Sequence, residues 1–178
     1  MNFRQITLNI ARAAAFALLA AAPLLTPAPL LAQGQKAPAM SDPKYGDAAA
    51  IRALPAAKLN ALLADPQATP YAKAKACVRL SVIGDASSVA AIAPLLEDDK
   101  LSVYARTALE QIPGDAATQA LIAALPKLSG NNLVGAINSL GVRHDPKAVD
   151  ALSKLVNAHN PETAKAASLA LALIRRPL

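Results

Sequence analysis

The segment LSVYARTALEQIPGDAATQALIAAL, residues 101–125, contains a pattern that the chain repeats on both sides of it. Residues 72–96 and 132–156 align with it when each is anchored on an alanine and on the leucine four positions later. The aligned pairs, with a fourth near the C-terminus, are Ala76 with Leu80, Ala105 with Leu109, Ala136 with Leu140, and Ala167 with Leu171. Successive leucines are 29, 31 and 31 residues apart, and a fixed period of this size is typical of a solenoid.

The apolar spacing predicts that each repeat consists of two amphipathic helices. Val89, Ile92, Leu95 and Leu96 lie at positions i, i+3, i+6 and i+7, which places them on one buried face of a helix. The chain has no segment that alternates with the period of a strand. The predicted pairs are 55–64 with 70–83, 87–97 with 102–112, 116–125 with 132–140, and 146–157 with 161–174.

Polar residues and glycines mark the predicted helix ends. Asp85, Asp115 and Asp145, spaced 30 residues apart, precede the first helices, where a carboxylate can accept bonds from free amides. Three glycines follow the second helices, where a left-handed residue is often needed, and they are Gly84, Gly114 and Gly141. Each alanine lies one turn before its leucine on the same face, so its methyl group allows a neighbouring helix to approach closely.

The N-terminal segment has the pattern of a secretory signal peptide. Arg4 and Arg12 precede the uncharged residues 13–32. A transmembrane anchor is the alternative, but Pro23, Pro27 and Pro29 disfavour a continuous helix, and whether the segment is cleaved stays open. The predicted organisation is a signal peptide at 1–32, a flexible linker at 33–46, a repeat domain at 47–174 and a tail at 175–178. The expected location is therefore periplasmic or secreted, with no stable membrane insertion after cleavage.

Charge and cysteine content exclude several classes of protein. Without residues 1–32 the chain has 16 Lys and Arg (18 less two) and 12 acidic residues, a net charge of about +4. This interspersed, mildly basic charge is not that of a nucleic-acid-binding protein. Cys77 is the only cysteine, so the chain forms no internal disulfide, and its apolar helix position predicts a buried thiol.

No pattern of catalytic, cofactor-binding or metal-ligating residues is found. His144 and His159 lie in different predicted turns and do not supply a tetrahedral set of ligands. The acidic run at residues 97–99 is interpreted as a solvated turn, because calcium needs more oxygen ligands in a defined loop. Phosphate-binding glycine motifs and the G-x-S-x-G elbow do not occur. The sequence therefore predicts no catalytic, cofactor or metal site and no enzyme activity.

The remaining candidates for function are protein-binding residues on the second helices. Helical geometry places Arg79 and Arg143 near one edge of a common face, as a basic ridge for an acidic partner, although ordinary solubilising charge is the alternative. Asn138 lies on the same set of helices. Leu169 and Leu173 lie on the last helix, where we expect self-association or docking of another protein through the C-terminal repeat.

The segments SSVAAIAPLLEDDKLSVYARTALEQI (87–112) and PKAVDALSKLVNAHNPETAKAASLALALI (146–174) resemble HEAT repeats. The short period resembles the phycobilisome-lyase type, although the family's Val-Arg pair at the start of the second helix is missing. The resemblance implies an all-α fold, a right-handed α-solenoid of about four helical pairs. It implies a concave face, lined by the second helices, that binds protein partners. The expected function is an exported bacterial, non-catalytic scaffold for an unidentified protein partner; the alternative is an accessory subunit or domain of an exported enzyme or electron-transfer system.

Overall fold

Helices make up most of the part of the chain that the computed structural model describes, residues 40–176. The exception within this range is one antiparallel pair of two-residue strands, β1 (Ser41–Asp42) and β2 (Gly46–Asp47). The predicted all-α class is therefore confirmed for the described residues. The predicted signal peptide, the first part of the linker and the last two residues lie outside the described range.

The described residues form nine α-helices. Five occupy the first half of this range: α1 (Ala48–Arg52), α2 (Ala56–Ala64), α3 (Pro70–Ile83), α4 (Ala86–Ile92) and α5 (Ser102–Gln111). Four follow: α6 (Asp115–Ala124), α7 (Gly130–Val142), α8 (Val149–Ser153) and α9 (Pro161–Ile174). Short 3-10 segments extend α4 and α6 and precede α8, at Ala93–Glu97, Leu125–Lys127 and Pro146–Ala148.

The helices form two rows, in which each member packs against the next one along the chain. One row, here called the second-helix row, consists of α3, α5, α7 and α9. The first-helix row consists of α2, α4, α6 and α8, with Pro146–Ala148 supplying the contact to α6. Helices α2 and α3, α5 and α6, α6 and α7, and α8 and α9 also connect the two rows. This packing is compatible with the predicted stack of helical pairs.

The alanines and leucines that define the repeat lie in the core. All four alanines, Ala76, Ala105, Ala136 and Ala167, are fully buried. Their partner leucines are buried as well, with 6% of Leu171 exposed and none of Leu80, Leu109 or Leu140. The predicted register of the four second helices is therefore confirmed.

Two of the three repeated aspartates cap helices, and the third does not. Asp85 accepts a hydrogen bond of 2.8 Å from the Ser87 amide, and Asp145 one of 3.0 Å from the Lys147 amide. Asp115 is instead the first residue of α6, after Gly114. Its carboxylate forms an ion pair with Lys147 of the following repeat. The prediction of a cap is thus wrong for Asp115, because Gly114 occupies the cap position.

The three glycines predicted to end second helices have different roles. Gly114 has a φ of 85°, as predicted, whereas Gly84 ends α3 with an ordinary φ of −73°. Gly141 lies inside α7 and is buried. The left-handed residue after α7 is His144, with a φ of 51°. Gly84 therefore ends its helix as predicted but without a left-handed backbone, whereas the prediction is wrong for Gly141, because α7 continues past it.

Part of the predicted linker belongs to the folded unit. The carboxylate of Asp42 is buried and accepts hydrogen bonds from the amides of Lys44, Tyr45 and Thr69 at 2.8, 2.9 and 2.8 Å. These bonds close the β1–β2 hairpin and join it to the N-terminus of α3. Residues 41–46 are therefore ordered, contrary to the linker prediction, because one aspartate satisfies three amides there.

Candidate protein-binding surface

The second helices expose a row of uncharged side chains, here called the outer row. Residues two before and two after each repeat leucine point about 160° away from it, at about 100° per residue. Seven of these eight residues are exposed, and Leu173 is half-buried. The members are Val78, Val82, Thr107, Gln111, Asn138, Val142, Leu169 and Leu173.

Large apolar side chains are exposed almost only on the second helices. Within residues 40–176 they comprise Val78 and Val82 on α3, Val103 and Tyr104 on α5, Val142 on α7, and Leu169 on α9, with Met40 as the exception. The most exposed of those on the helices is Val82, at 74%. The first-helix row has none among the residues that the structure describes. Scattered exposed apolar residues are ordinary, but their concentration on one face indicates an interaction surface.

A groove between α7 and α9 lies on this face. Its volume is about 320 Å³. Its walls are apolar except for one amide and one guanidinium, and the lining residues are Asn138, Val142, Leu169, Ala170, Ala172, Leu173 and Arg176. Three residues predicted from the sequence, Asn138, Leu169 and Leu173, therefore meet in one place. Leu169 is 55% exposed, so the groove is open to a ligand from outside.

Small residues allow α7 and α9 to approach closely below the groove. A Cβ atom added to Gly141 would lie 2.9 Å from the Cα atom of Ala170. That distance is too short for a real contact, so the helices could not pack this closely with any other residue at position 141. Ala170, which makes this close approach, also lines the groove together with Leu169 and Leu173.

Arg143 does not contribute to a basic ridge, because its guanidinium turns back to the end of α5. Nη1 donates to the carbonyls of Leu109, Glu110 and Ile112, and Nη2 donates to the carbonyl of Gly114 at 2.8 Å. Nε donates to the hydroxyl of Thr118 at 2.9 Å. The last carbonyls of a helix have no partner within the helix, and a cation is favourable there.

The prediction that Arg79 and Arg143 together form a basic ridge is therefore wrong. Arg79 lies on α3, and Arg143 directly follows the last residue of α7. Helix α5 lies between these two helices. Arg79 is half-buried, and its buried Nε atom has no hydrogen-bond partner within residues 40–176. Helical angles placed both residues near one edge. They could not show that the long side chain of Arg143 reaches the carbonyls of the preceding repeat.

The second-helix row still carries an excess of positive charge. Together with the two arginines after α9 it contains seven basic residues besides Arg143: Lys73, Lys75, Arg79, Arg106, Lys165, Arg175 and Arg176. It contains two acidic residues, Glu110 and Glu162. The other ten acidic residues of the chain (12 less two) lie outside this row. The Glu110 carboxylate accepts a hydrogen bond from the buried Ser139 hydroxyl. The second-helix row thus combines an uncharged outer row with an excess of basic residues.

Several residues of this surface were not predicted from the sequence. Val78, Val82 and Val142 occupy the same repeat positions as Leu169 and Leu173, so the repeat register was a signal that could have found them. Arg176 follows the predicted end of the last helix, and its place beside the groove depends on how α9 packs against α7. No spacing in the sequence indicates that contact.

The titratable residues singled out in the sequence lie apart from the groove. Burial raises the pKa of the Cys77 thiol to about 12, so the thiol is protonated at neutral pH. His144 is half-buried in the turn after α7, and His159 is exposed before α9. In residues 40–176 no three histidine, cysteine or acidic side chains come together as a metal site would require.

Comparison of the chain with protein-family models and with curated protein sequences gives no match. No helix among residues 40–176 has both the length and the apolar character that crossing a membrane requires. The surface of the second helices is thus the feature that points most directly to a function.

Proposed function

We propose that this protein is a non-catalytic scaffold that binds other proteins through its second-helix row. The observation that carries the proposal is the concentration of exposed large apolar side chains on α3, α5, α7 and α9. Interfaces are enriched in aromatic and apolar residues at their centre and have a polar rim. The second-helix row shares these features, since it exposes valines, a tyrosine and a leucine and also carries several basic residues.

The proposed architecture is a right-handed α-solenoid of about four short HEAT-like pairs, as the sequence resemblance implies. Its support is the contact of each second helix with the next and the burial of the same alanine and leucine in every repeat. Such arrays use one extended face for binding, because each repeat contacts only its neighbours and leaves that face open. The second-helix row would be this face.

Site-specific photo-crosslinking tests the proposed interface. A photoreactive amino acid is placed on the second helices at Val82 or Val142, and as controls on the first helices at the exposed Ala61 or Ala123. Irradiation of intact cells should give adducts from the second-helix positions and few from the controls. Equal yields from both rows, or none from either, would contradict the proposal.

Self-association through the C-terminal repeat is proposed as well, with Leu169 and Leu173 as contacts. The support is the exposure of the Leu169 side chain on the last helix. Light scattering over a concentration series should show dimer formation by the wild type and less by a Leu173→Glu variant. A wild type that stays monomeric throughout the series rules out this contact.

Export is proposed on the basis of the N-terminal segment, which lies outside the described residues. Two arginines followed by the uncharged residues 13–32 support it. Mass spectrometry of the protein recovered from the cell envelope should give a chain that begins near Gln33. A full-length chain in the membrane pellet would indicate an uncleaved anchor, and a full-length chain in the cytoplasm would contradict export.

A further inference from the structure

We propose that the groove between α7 and α9 binds a short peptide segment in which an apolar side chain stands beside a carboxylate. The apolar side chain enters between Val142 and Leu169, and the carboxylate meets the guanidinium of Arg176. This inference rests on the proposed function, since it names the partner chemistry for one part of the second-helix row.

The size and lining of the groove define the apolar part of the ligand. Its volume of about 320 Å³ is at the lower end of the range for ligand pockets, about 300–1,000 Å³. Such a site holds one or two side chains, and it is too small for a whole helix. Val142 and Leu169 are 51% and 55% exposed, so a bound side chain would remove apolar surface of both residues from water.

Charge complementarity defines the polar part. Among residues 40–176, Arg176 is the only charged residue that lines the groove, and none of these residues places an acidic side chain in the lining. Helix α7 has no charged residue at all, and α9 contributes Lys165 while Glu162 lies in its first turn. A carboxylate placed at Arg176 is therefore attracted by the guanidinium, which can bind it through two parallel hydrogen bonds, and it meets no acidic side chain among the described lining residues.

Other anionic ligands fit the groove less well. A nucleic acid would need aromatic side chains for base stacking, and the described residues contribute none to the lining. A membrane surface would need apolar side chains that protrude together, whereas these residues line the walls of a recess between two helices. A peptide segment matches both the recess and the single cation.

Selection from a random short-peptide display library on the full chain tests the inference. We expect the recovered peptides to be enriched in aliphatic residues next to Asp or Glu. The best peptide is then synthesised with a fluorescent label and titrated by anisotropy against wild type and variants. Leu169→Asp should weaken binding by about tenfold or more, as loss of an interface anchor does. Arg176→Glu should weaken binding of the acidic peptide similarly.

Matched variants show whether the groove is responsible. Arg175→Glu makes the same charge change at an exposed neighbour that does not line the groove, and Ala123→Asp makes an apolar-to-acid change at an exposed position of the first-helix row. Neither should change the affinity more than twofold, an effect of about 0.4 kcal/mol. A peptide with Lys in place of its acidic residues should lose affinity for the wild type and regain it with Arg176→Glu.

Three results would overturn the inference. One is a selection that yields no binding peptide, and the second is a set of peptides whose affinity is the same for Leu169→Asp as for wild type. The third is binding of the full chain to phosphatidylglycerol vesicles that Leu169→Asp abolishes, which would assign the groove to a membrane. Photo-crosslinking from Val82 could still succeed in each case, so failure here is distinguishable from failure of the proposed scaffold function.

Discussion

Arg143 differs from the residues at the equivalent position of the other repeats, and this difference explains its role. Ile83, Ile112 and Ile174 stand at that position in the other second helices. The arginine replaces apolar packing with hydrogen bonds to carbonyls at the end of α5. Burial lowers the pKa of its guanidinium, but an arginine stays charged in proteins. One side chain thus joins two successive repeats.

Replacing Arg143 should destabilise the fold more than replacing an exposed arginine. Arg143→Ala leaves carbonyls at the end of α5 without a donor, and hydrogen bonds to a charged group contribute about 1.5–3 kcal/mol. We expect the free energy of unfolding, measured by urea denaturation, to fall by about 2 kcal/mol. The control Arg175→Ala removes an exposed charge and should change it by less than about 0.5 kcal/mol. Equal urea midpoints for the two variants would show that the carbonyl contacts contribute nothing.

Asp42 makes the stability of the N-terminal end dependent on pH. Burial alone would raise its pKa, but hydrogen bonds from Thr69, Tyr45 and Lys44 outweigh this and lower the pKa to about 2. In the unfolded chain the pKa is about 3.9. The folded state therefore binds the proton less readily, so this stabilisation is complete above about pH 4 and is lost as the pH falls toward 2.

Comparison of Asp42→Asn with wild type tests this pH dependence. At pH 6 the variant should melt at a lower temperature, because an amide is a weaker acceptor for three N–H groups. The difference in melting temperature should shrink as the pH is lowered from about 4 to about 2.5. Asp150→Asn, at an exposed position on α8, serves as the control and should follow the wild type at every pH. A difference for Asp42→Asn that does not change with pH would contradict the role of the carboxylate.

At the scale of single helices, capped elements were predictable and proline-interrupted ones were not. The bounds of α3 and α9 agree with the prediction because Pro70 and Pro161 begin them and Thr69 and Asn160 cap them. Helix α4 ends at Ile92, five residues before its predicted end at 97, whereas α6 has its predicted length and is shifted by one residue. Prolines at positions 94 and 126 lack an amide donor and clash with the preceding turn, so the chain continues in 3-10 geometry. An apolar period alone does not distinguish these two kinds of helix.

The repeat alanines should tolerate enlargement poorly. Ala105 is fully buried where α5 contacts its neighbours, whereas Ala123 is exposed on α6. Ala105→Leu inserts three carbons into a packed contact, and overpacking of this kind costs about 1–3 kcal/mol. We expect its melting temperature to fall, while Ala123→Leu stays close to wild type. Thermal unfolding followed by circular dichroism makes the comparison, and equal melting temperatures would mean that the repeat alanine position is not closely packed.

The candidate site was predictable only in part, and the reason lies in helix packing. Asn138, Leu169 and Leu173 were found from their positions on the second helices, and the structure brings them into one groove. The groove itself depends on the contact between Gly141 and Ala170. A glycine near a helix end is more often a cap than a packing contact, so the sequence pattern favoured the wrong role.

Across the described residues, apolar exposure and positive charge coincide on the second-helix row. Ten of the twelve acidic residues lie outside the second-helix row, and no large apolar side chain is exposed on the first helices. The chain as a whole has a mild formal charge of +6, which gives no indication of this separation. It becomes visible only when residues are assigned to rows, because each repeat contributes the same positions to the same row.

Contacts between neighbouring helices dominate the packing, and this gives a test of the solenoid proposal. In a repeat array the stability is approximately a sum of local terms, so damage to one interface spreads little beyond it. Gly141→Ala damages the α7–α9 interface, since its methyl group would lie 3.0 Å from that of Ala170. In an exposed helix this change would stabilise by about 1 kcal/mol, but overpacking should here outweigh that gain.

Hydrogen exchange in native conditions should therefore become faster in α7 and α9 while α3 keeps its protection. The reciprocal variant Ala76→Leu, at a buried position of α3, should accelerate exchange in α3 and α5 and leave α9 protected. Uniform acceleration along residues 40–176 in both variants would indicate one cooperative unit instead of a stack of repeats.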